Sequence, residues 1–197
     1  MKTVAVVGLG CVGSRTAARL KGKTNLLLID FDSVRVENLG CQNYTAKDNG
    51  RKKAVATSEK TGGKAIVKRL TGKNAAGILE NAGVIADCTD NWTARKTIDD
   101  YCAKTGKKWI YAGALRTQAM VATIGKAGNF AKWAGKKPER EVSCHVAGIS
   151  VKACKWAAET QAAEVKRLLA GRKPSLEGKI AFYDAATGEK TLLKKAG

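Results

Sequence analysis

Five residues, Thr3-Val4-Ala5-Val6-Val7, run straight into Gly8-Leu9-Gly10-Cys11-Val12-Gly13, and Ser14 to Leu20 follows with helical composition. A short β-branched run of this kind reads as a buried parallel strand. Strand, Gly-x-Gly-x-x-Gly and helix together commit the chain to an α/β architecture. Gly8 would allow the tight turn, Gly10 would let the backbone approach a phosphate, and Gly13 would let helix and strand pack closely. The helix N-terminus adds free N–H groups and the positive end of a dipole. Leu26 to Ile29 forms a second buried strand ending in Asp30, 22 residues beyond Gly8. A carboxylate there can accept hydrogen bonds from ribose hydroxyls. Alone, this unit reads as a ribonucleotide site, with NAD as the default.

The pattern continues as alternating strands and helices. Helices are expected from Gly50 to about Thr61, from Asn74 to Ala82 and from Trp92 to about Lys104, the last capped by Asn91 and stopped by Gly106. Strands are expected at Ala65-Ile66-Val67, Val84 to Cys88, Trp109 to Ala112 and Gln118 to Ile124. Residues 125–143 are rich in Gly, Lys and charge and read as a surface crossover loop. A long helix from about Val146 to Ala170 and a hairpin, Lys179 to Asp184 and Glu189 to Leu193, close the chain. The fold class is α/β: a Rossmann-like, doubly wound, mainly parallel sheet with a C-terminal crossover helix and β-hairpin, in one domain over residues 1–197.

Composition trims the alternatives. The 197 residues carry 36 Lys plus Arg against 17 Asp plus Glu, a net charge of +19 that raises an acidic partner. The basic residues are spread along the chain and only 6% of residues are aromatic, so a nucleic-acid partner is not expected. No apolar run reaches the roughly 18 residues of a membrane helix. Met1-Lys2-Thr3-Val4 enters a strand directly, which argues against a secretion signal. Six cysteines include no C-x-x-C pair and there is one histidine, so neither zinc nor a disulfide framework is expected, and the compartment reads as cytoplasmic.

Two further runs point past NAD. Asp30-Phe31-Asp32-x-Val34 leads to Asn38-Leu39 and Gln42, and Asp87-Cys88-Thr89-Asp90-Asn91 ends another parallel strand. Ligands bind beyond the carboxyl ends of such strands, so Asp30, Asn38 and Asp90 would converge. A second carboxylate beside phosphates suits Mg²⁺, which takes one or two carboxylates plus phosphate oxygens. Asp90 as a simple helix cap is the structural alternative.

These runs, with Arg95, Gly50-Arg51-Lys52-Lys53-Ala54, Trp109 to Ala114, Glu139-Arg140 through Cys144-x-x-Ala147-Gly148 and Gly178 to Gly188, resemble the ThiF/MoeB/HesA family. These proteins are the prokaryotic relatives of ubiquitin-activating enzymes. The resemblance implies ATP-dependent adenylation of the C-terminal Gly-Gly carboxylate of a small β-grasp sulfur-carrier or ubiquitin-like protein. An acyl adenylate and pyrophosphate would form, with sulfur or thiol transfer to follow. It implies ATP and Mg²⁺ as cofactors and a homodimer. It places Gly8, Gly10, Gly13, Asp32, Gln42 and Asn91 at the nucleotide, Asp30 at the ribose, Asn38 and Lys53 at the phosphates, Asp90 at Mg²⁺ and Cys144 at sulfur transfer. His145 beside Cys144 is a weaker candidate base.

Three features depart from the family pattern. Cys41 stands where the family has a phosphate-binding arginine. The family's N-terminal helices, which carry another arginine, and its zinc-binding cysteine pairs are not expected here, and so neither is zinc. Arg116, Arg140 or Lys52 would be the candidates to replace the lost charge. Two other readings stay open: a non-catalytic nucleotide- or partner-binding member, and a NAD-type oxidoreductase.

Overall fold

The structure is a computed structural model that describes residues 2–125, 130, 135, 137–138 and 148–194. Its strands are β1 (Thr3–Val7), β2 (Asn25–Ile29), β3 (Lys64–Ile66), β4 (Val84–Asp87), β5 (Trp109–Leu115), β6 (Gln118–Ile124), β7 (Lys179–Asp184) and β8 (Lys190–Lys194). Its helices are α1 (Cys11–Leu20), α2 (Lys53–Thr61), α3 (Ala75–Leu79), α4 (Trp92–Thr105) and α5 (Val151–Leu169). All eight strands join one sheet in the order β3-β2-β1-β4-β5-β6-β7-β8. The first five are parallel, and β5 to β8 form an antiparallel meander.

Strand periodicity builds the core on both faces. Val4 and Val6 face a cluster with Leu20 of α1 and Ala157 and Val165 of α5. Ala5 and Val7 face the opposite cluster with Leu79 of α3 and Ile98 and Cys102 of α4. The chain runs outward from β1 through β2 to β3, then crosses back from β3 to β4 on the other side of β1. The strand order therefore reverses at β1, and a crevice opens there beyond the carboxyl ends of the strands. Register puts Val7 beside Ile29 and Asp87, so the residues that follow all three emerge at one level.

Several boundaries differ from expectation for local reasons. The last helix starts at Val151, not near Val146: Gly148 takes φ +73°, Ile149 bridges to Arg116, and the Ser150 side chain caps Ala153 N–H. The second helix starts at Lys53 rather than Gly50. A 3-10 turn at Ala46–Asp48 precedes it, Gly50 has φ +79°, and Ser33 pairs with Lys52. The third is shorter than expected, Ala75–Leu79. Of the expected surface loop, Phe130 is buried instead, 2% exposed, because the rings of Trp92, Trp109 and Tyr111 surround it.

One polar side chain ties helix to sheet. Gln161 of α5, fully buried, donates from Nε2 to the carbonyls of Asp87 (2.8 Å) and Ile110 (2.9 Å). Its Oε1 accepts from Thr16 Oγ1 (2.8 Å) and from the Cys88 thiol (3.0 Å), so every polar group in the contact is satisfied.

Candidate functional site

A cavity of about 740 Å³ opens at the reversal point of the sheet. Gly8, Gly10, Asp30, Asp32, Gln42, Lys53, Asp90 and Asn91 all stand on its wall. Gly8 has φ +82°, and a Cβ there would sit 2.8 Å from the Cys88 carbonyl. A Cβ on Gly13 would sit 1.8 Å from the Gly8 carbonyl, so Gly13 is a packing glycine behind the wall. Gly10 has nothing within 4 Å along its Cβ direction, and its backbone is open to the cavity.

Asp30 accepts from the N–H of Leu9 at 2.7 Å and from the N–H of Asp32 at 2.8 Å, which fixes its carboxylate across the glycine turn. Burial pushes its pKa up, while Lys53 and the two N–H groups pull it down. Lys53, at the start of α2, is 4% exposed. Its backbone N–H donates to the Asp32 carbonyl at 2.9 Å, and its Nζ lies 3.7 Å from the Asp32 carboxylate. A buried ammonium between two acidic residues is a positive charge facing into the cavity. Tyr44 closes this side: its hydroxyl donates to the Leu9 carbonyl at 2.7 Å and pairs with Thr57 Oγ1 at 3.1 Å.

The other wall comes from the end of β4. Asn91 Oδ1 accepts from Ala94 N–H at 2.9 Å and caps α4. That leaves Asp90 exposed at the rim, with Asn91 Nδ2 at 3.5 Å from its Oδ1. Asp87 points away into the core, where it accepts from the N–H and Oγ1 of Thr89. Burial raises its pKa to about 6, against the opposing pull of Arg95, whose Nε lies 3.7 Å away. Arg95 donates to the Thr89 carbonyl at 2.6 Å and lies over the Tyr111 ring.

Asn38 is placed differently from expectation. It is 1% exposed and is not on the cavity wall. Its Oδ1 accepts from Arg35 N–H (3.0 Å) and its carbonyl accepts from Gln42 N–H (2.9 Å), because it closes the 3-10 turn Val36–Asn38 that carries the next loop. Cys144, His145 and Arg140 lie outside the described residues. Lys52 donates to the Phe31 carbonyl, and Arg116, at φ +51°, is exposed; neither is on the wall.

Sequence reasoning missed several residues here. Arg15 of α1, 8% exposed, donates from Nη1 to the carbonyls of Cys11 (2.9 Å) and Cys41 (2.6 Å). Lys68 and Arg69 join the wall from the loop after β3, and the Arg69 guanidinium stacks 3.8 Å over the Phe31 ring. Their position just past a parallel strand was the available signal.

Fold and crevice define a Rossmann-like α/β protein with an open cavity where the order of its sheet reverses. The chain belongs to the ThiF family, whose model matches residues 1–196. It is 28% identical over 199 residues to the sulfur carrier protein ThiS adenylyltransferase of Escherichia coli K12, covering 94% of this chain and 79% of that protein. It is 28% identical over 209 residues to the adenylyltransferase and sulfurtransferase MOCS3 of Xenopus laevis, covering 99% of this chain and 46% of that protein. The chain thus spans about half the length of the MOCS3 relatives it matches. In fold it is similar to the crystal structure of PaaA, with a TM-score of 0.81, 20% identity, and coverage of 98% of this chain and 64% of PaaA. It is also similar to E. coli MccB with ATP, with a TM-score of 0.74, 16% identity, and coverage of 99% of this chain and 64% of MccB.

Proposed function

We propose that the protein adenylates the C-terminal carboxylate of a small β-grasp sulfur-carrier or ubiquitin-like protein ending in Gly-Gly, at the expense of ATP. One observation carries this reading: the glycine turn, Asp30, Lys53 and Asp90, from four separate stretches of chain, stand around one cavity. The family and the names of its relatives support it.

In this reading Asp30, held by two backbone N–H groups, keeps a lone pair on each oxygen for the ribose hydroxyls. The flat Arg69–Phe31 stack beside it is a surface suited to a purine. The open backbone of Gly10 and the start of α1 receive phosphate oxygens. Lys53 neutralises them and lowers the repulsion between the phosphates and the incoming carboxylate. Asp90 fits a divalent cation, since it is an exposed carboxylate at the rim whose lone pairs are largely free. Mg²⁺ bound there would supply charge neutralisation and needs few protein ligands beside phosphate oxygens and water. Attack of the carrier carboxylate on the α-phosphorus releases pyrophosphate and leaves the acyl adenylate. Cys144 would then serve sulfur transfer, and a homodimer is the proposed assembly.

The test is ATP–pyrophosphate exchange with Mg·ATP and a panel of Gly-Gly-ended carriers, with the acyl adenylate identified by mass. Exchange that Asp90→Ala abolishes supports the reading. ATP binding without exchange for any carrier overturns it in favour of a non-catalytic member, which Cys41 on the cavity wall would suit. Reduced nicotinamide binding in place of Mg·ATP would instead point to an oxidoreductase.

A further inference from the structure

Three cysteines, none of them in a disulfide, meet where the glycine turn touches the loop after Asn38. Cys11 is the first residue of α1, Cys41 sits in the loop, and Cys154 of α5 lies beneath, fully buried. The Cys11 thiol donates to the Cys41 carbonyl at 2.5 Å, which sets the two residues side by side. Buried Arg15 brings Nη1 to 3.4 Å from the Cys11 sulfur and 2.6 Å from the Cys41 carbonyl. Cys11 and Cys41 both face the cavity, whereas Cys154 does not.

This surrounding favours a thiolate on Cys11. The hydrogen bond from Cys154 is the strongest influence, and with the Arg15 charge and the Cys41 contact it outweighs burial and holds Cys11 below the usual thiol range. Cys102 is the contrast: burial without such partners pushes it up to about 12. The loop can deliver the second sulfur. Gly40, exposed at φ +80° with open space along its Cβ direction, precedes Cys41 and gives the backbone freedom to swing.

We propose that Cys11 and Cys41 are a hydroperoxide-sensitive pair whose reversible disulfide draws the Cys41 loop over Gly10 and closes the phosphate end of the cavity. The Cys11 thiolate attacks the peroxide, the O–O bond breaks, and the sulfur is oxidised by two electrons to sulfenic acid as an alcohol or water leaves. The Cys41 thiolate then attacks that sulfur; the S–S bond forms, the S–O bond breaks, and the hydroxide departs as water with the Cys41 proton. Two thiols and one hydroperoxide thus give one disulfide, one water and one alcohol, or a second water. The gating half rests on the proposed nucleotide site; the disulfide half does not.

The experiment treats the full chain with hydrogen peroxide, alkylates it, and maps the digested peptides by mass, with ATP affinity measured in parallel. A Cys11–Cys41 linked peptide, reversed by dithiothreitol and lost in Cys41→Ser but kept in Cys154→Ser, is expected. Affinity for ATP should fall at least about tenfold on oxidation and return on reduction. Arg15→Gln should move the pH midpoint of Cys11 alkylation upward, a readout that a merely structural role for Arg15 would leave in place. A Cys11–Cys154 link, or Cys11 alkylating no faster than Cys102 with no link formed, overturns the pair. Unchanged ATP affinity in the linked protein overturns the gating alone. A reduced protein that binds no ATP overturns the nucleotide reading and leaves the pair to be judged on the mass.

Discussion

At the scale of single residues, charge placement decides most of what the site can do. Burial raises the pKa of Asp30 on balance, and Lys53 is the strongest influence opposing that rise, so the two are one electrostatic unit. Lys53→Met should therefore have two effects. It should lower kcat/KM for pyrophosphate exchange by about a hundredfold, the scale for loss of one preorganised charge at a developing anion. It should also raise the Asp30 pKa, read by carboxyl NMR; an unmoved Asp30 would sever the pair. Asp87 makes the opposite kind of statement. Its folded pKa of about 6 exceeds the ordinary 3.8, so the native state binds its proton more tightly than the unfolded state. The Asp87 contribution is thus fully favourable below 3.8 and is lost as pH rises through about 6. Comparing urea stabilities across that window, Asp87→Asn should remove this downward component of the pH slope. Identical slopes for wild type and variant would show that the buried carboxyl is not the titrating group.

At the scale of elements, the sequence was most informative where backbone chemistry allows one residue type. Gly8 and Gly13 are legible because a Cβ at either would strike backbone, and β1, β2 and β4 are legible because buried parallel strands are short apolar runs. Asp30 and Asp90 follow from strand ends. What was hidden depends on contacts between distant segments. Arg15 looks like any helical arginine until the Cys41 carbonyl is placed against it. The turn that Asn38 closes, which sets it behind the cavity wall, cannot be read from its neighbours in sequence. Phe130 sits in a charged stretch, yet it completes an aromatic cluster assembled from two other elements, α4 and β5. Glu164 of α5 is another hidden residue. Fully buried, it accepts from Thr123 Oγ1, from the N–H and Oγ of Ser175 and from Leu176 N–H, which docks the segment before β7 onto the helix. Burial pushes its pKa up, but the donors from Ser175, Thr123 and Leu176 outweigh it and hold the net value below the ordinary one. Its stabilisation is present above the unfolded pKa and disappears as pH falls through the folded one. Glu164→Gln places an amide donor against existing donors and should cost about 2 kcal/mol at neutral pH, with less cost in acid. Denaturant melts at both pH values check it; an equal cost at each would mean that the loss is packing, not charge.

At the scale of the whole molecule, the excess of basic residues has to be located before it can be given a role. The cavity wall carries Lys53, Lys68, Arg69 and Arg95 against Asp30, Asp32, Glu37 and Asp90, four of each sign. The +19 of the chain therefore lies outside the cavity. Part of it stands on the last edge strand, where Lys190 and Lys194 flank exposed Leu192 and Leu193 and discourage unwanted strand pairing. A charge so distributed acts at long range, on partners approaching the surface, rather than on a nucleotide already in the cavity. Ionic strength separates the two, because exposed charges are screened over about 10 Å at 0.1 M salt while buried contacts are screened far less. Raising salt from about 0.02 M to about 0.2 M should slow association with an acidic carrier by roughly tenfold or more, through the on-rate rather than the off-rate. The KM for ATP should change much less over the same range, since Lys53 and Asp30 are buried and the wall is balanced in sign. Stopped-flow association and steady-state exchange measure the two quantities side by side. An ATP dependence as steep as that of the carrier would place the excess charge at the nucleotide after all, and a flat carrier on-rate would leave the +19 without a steering role.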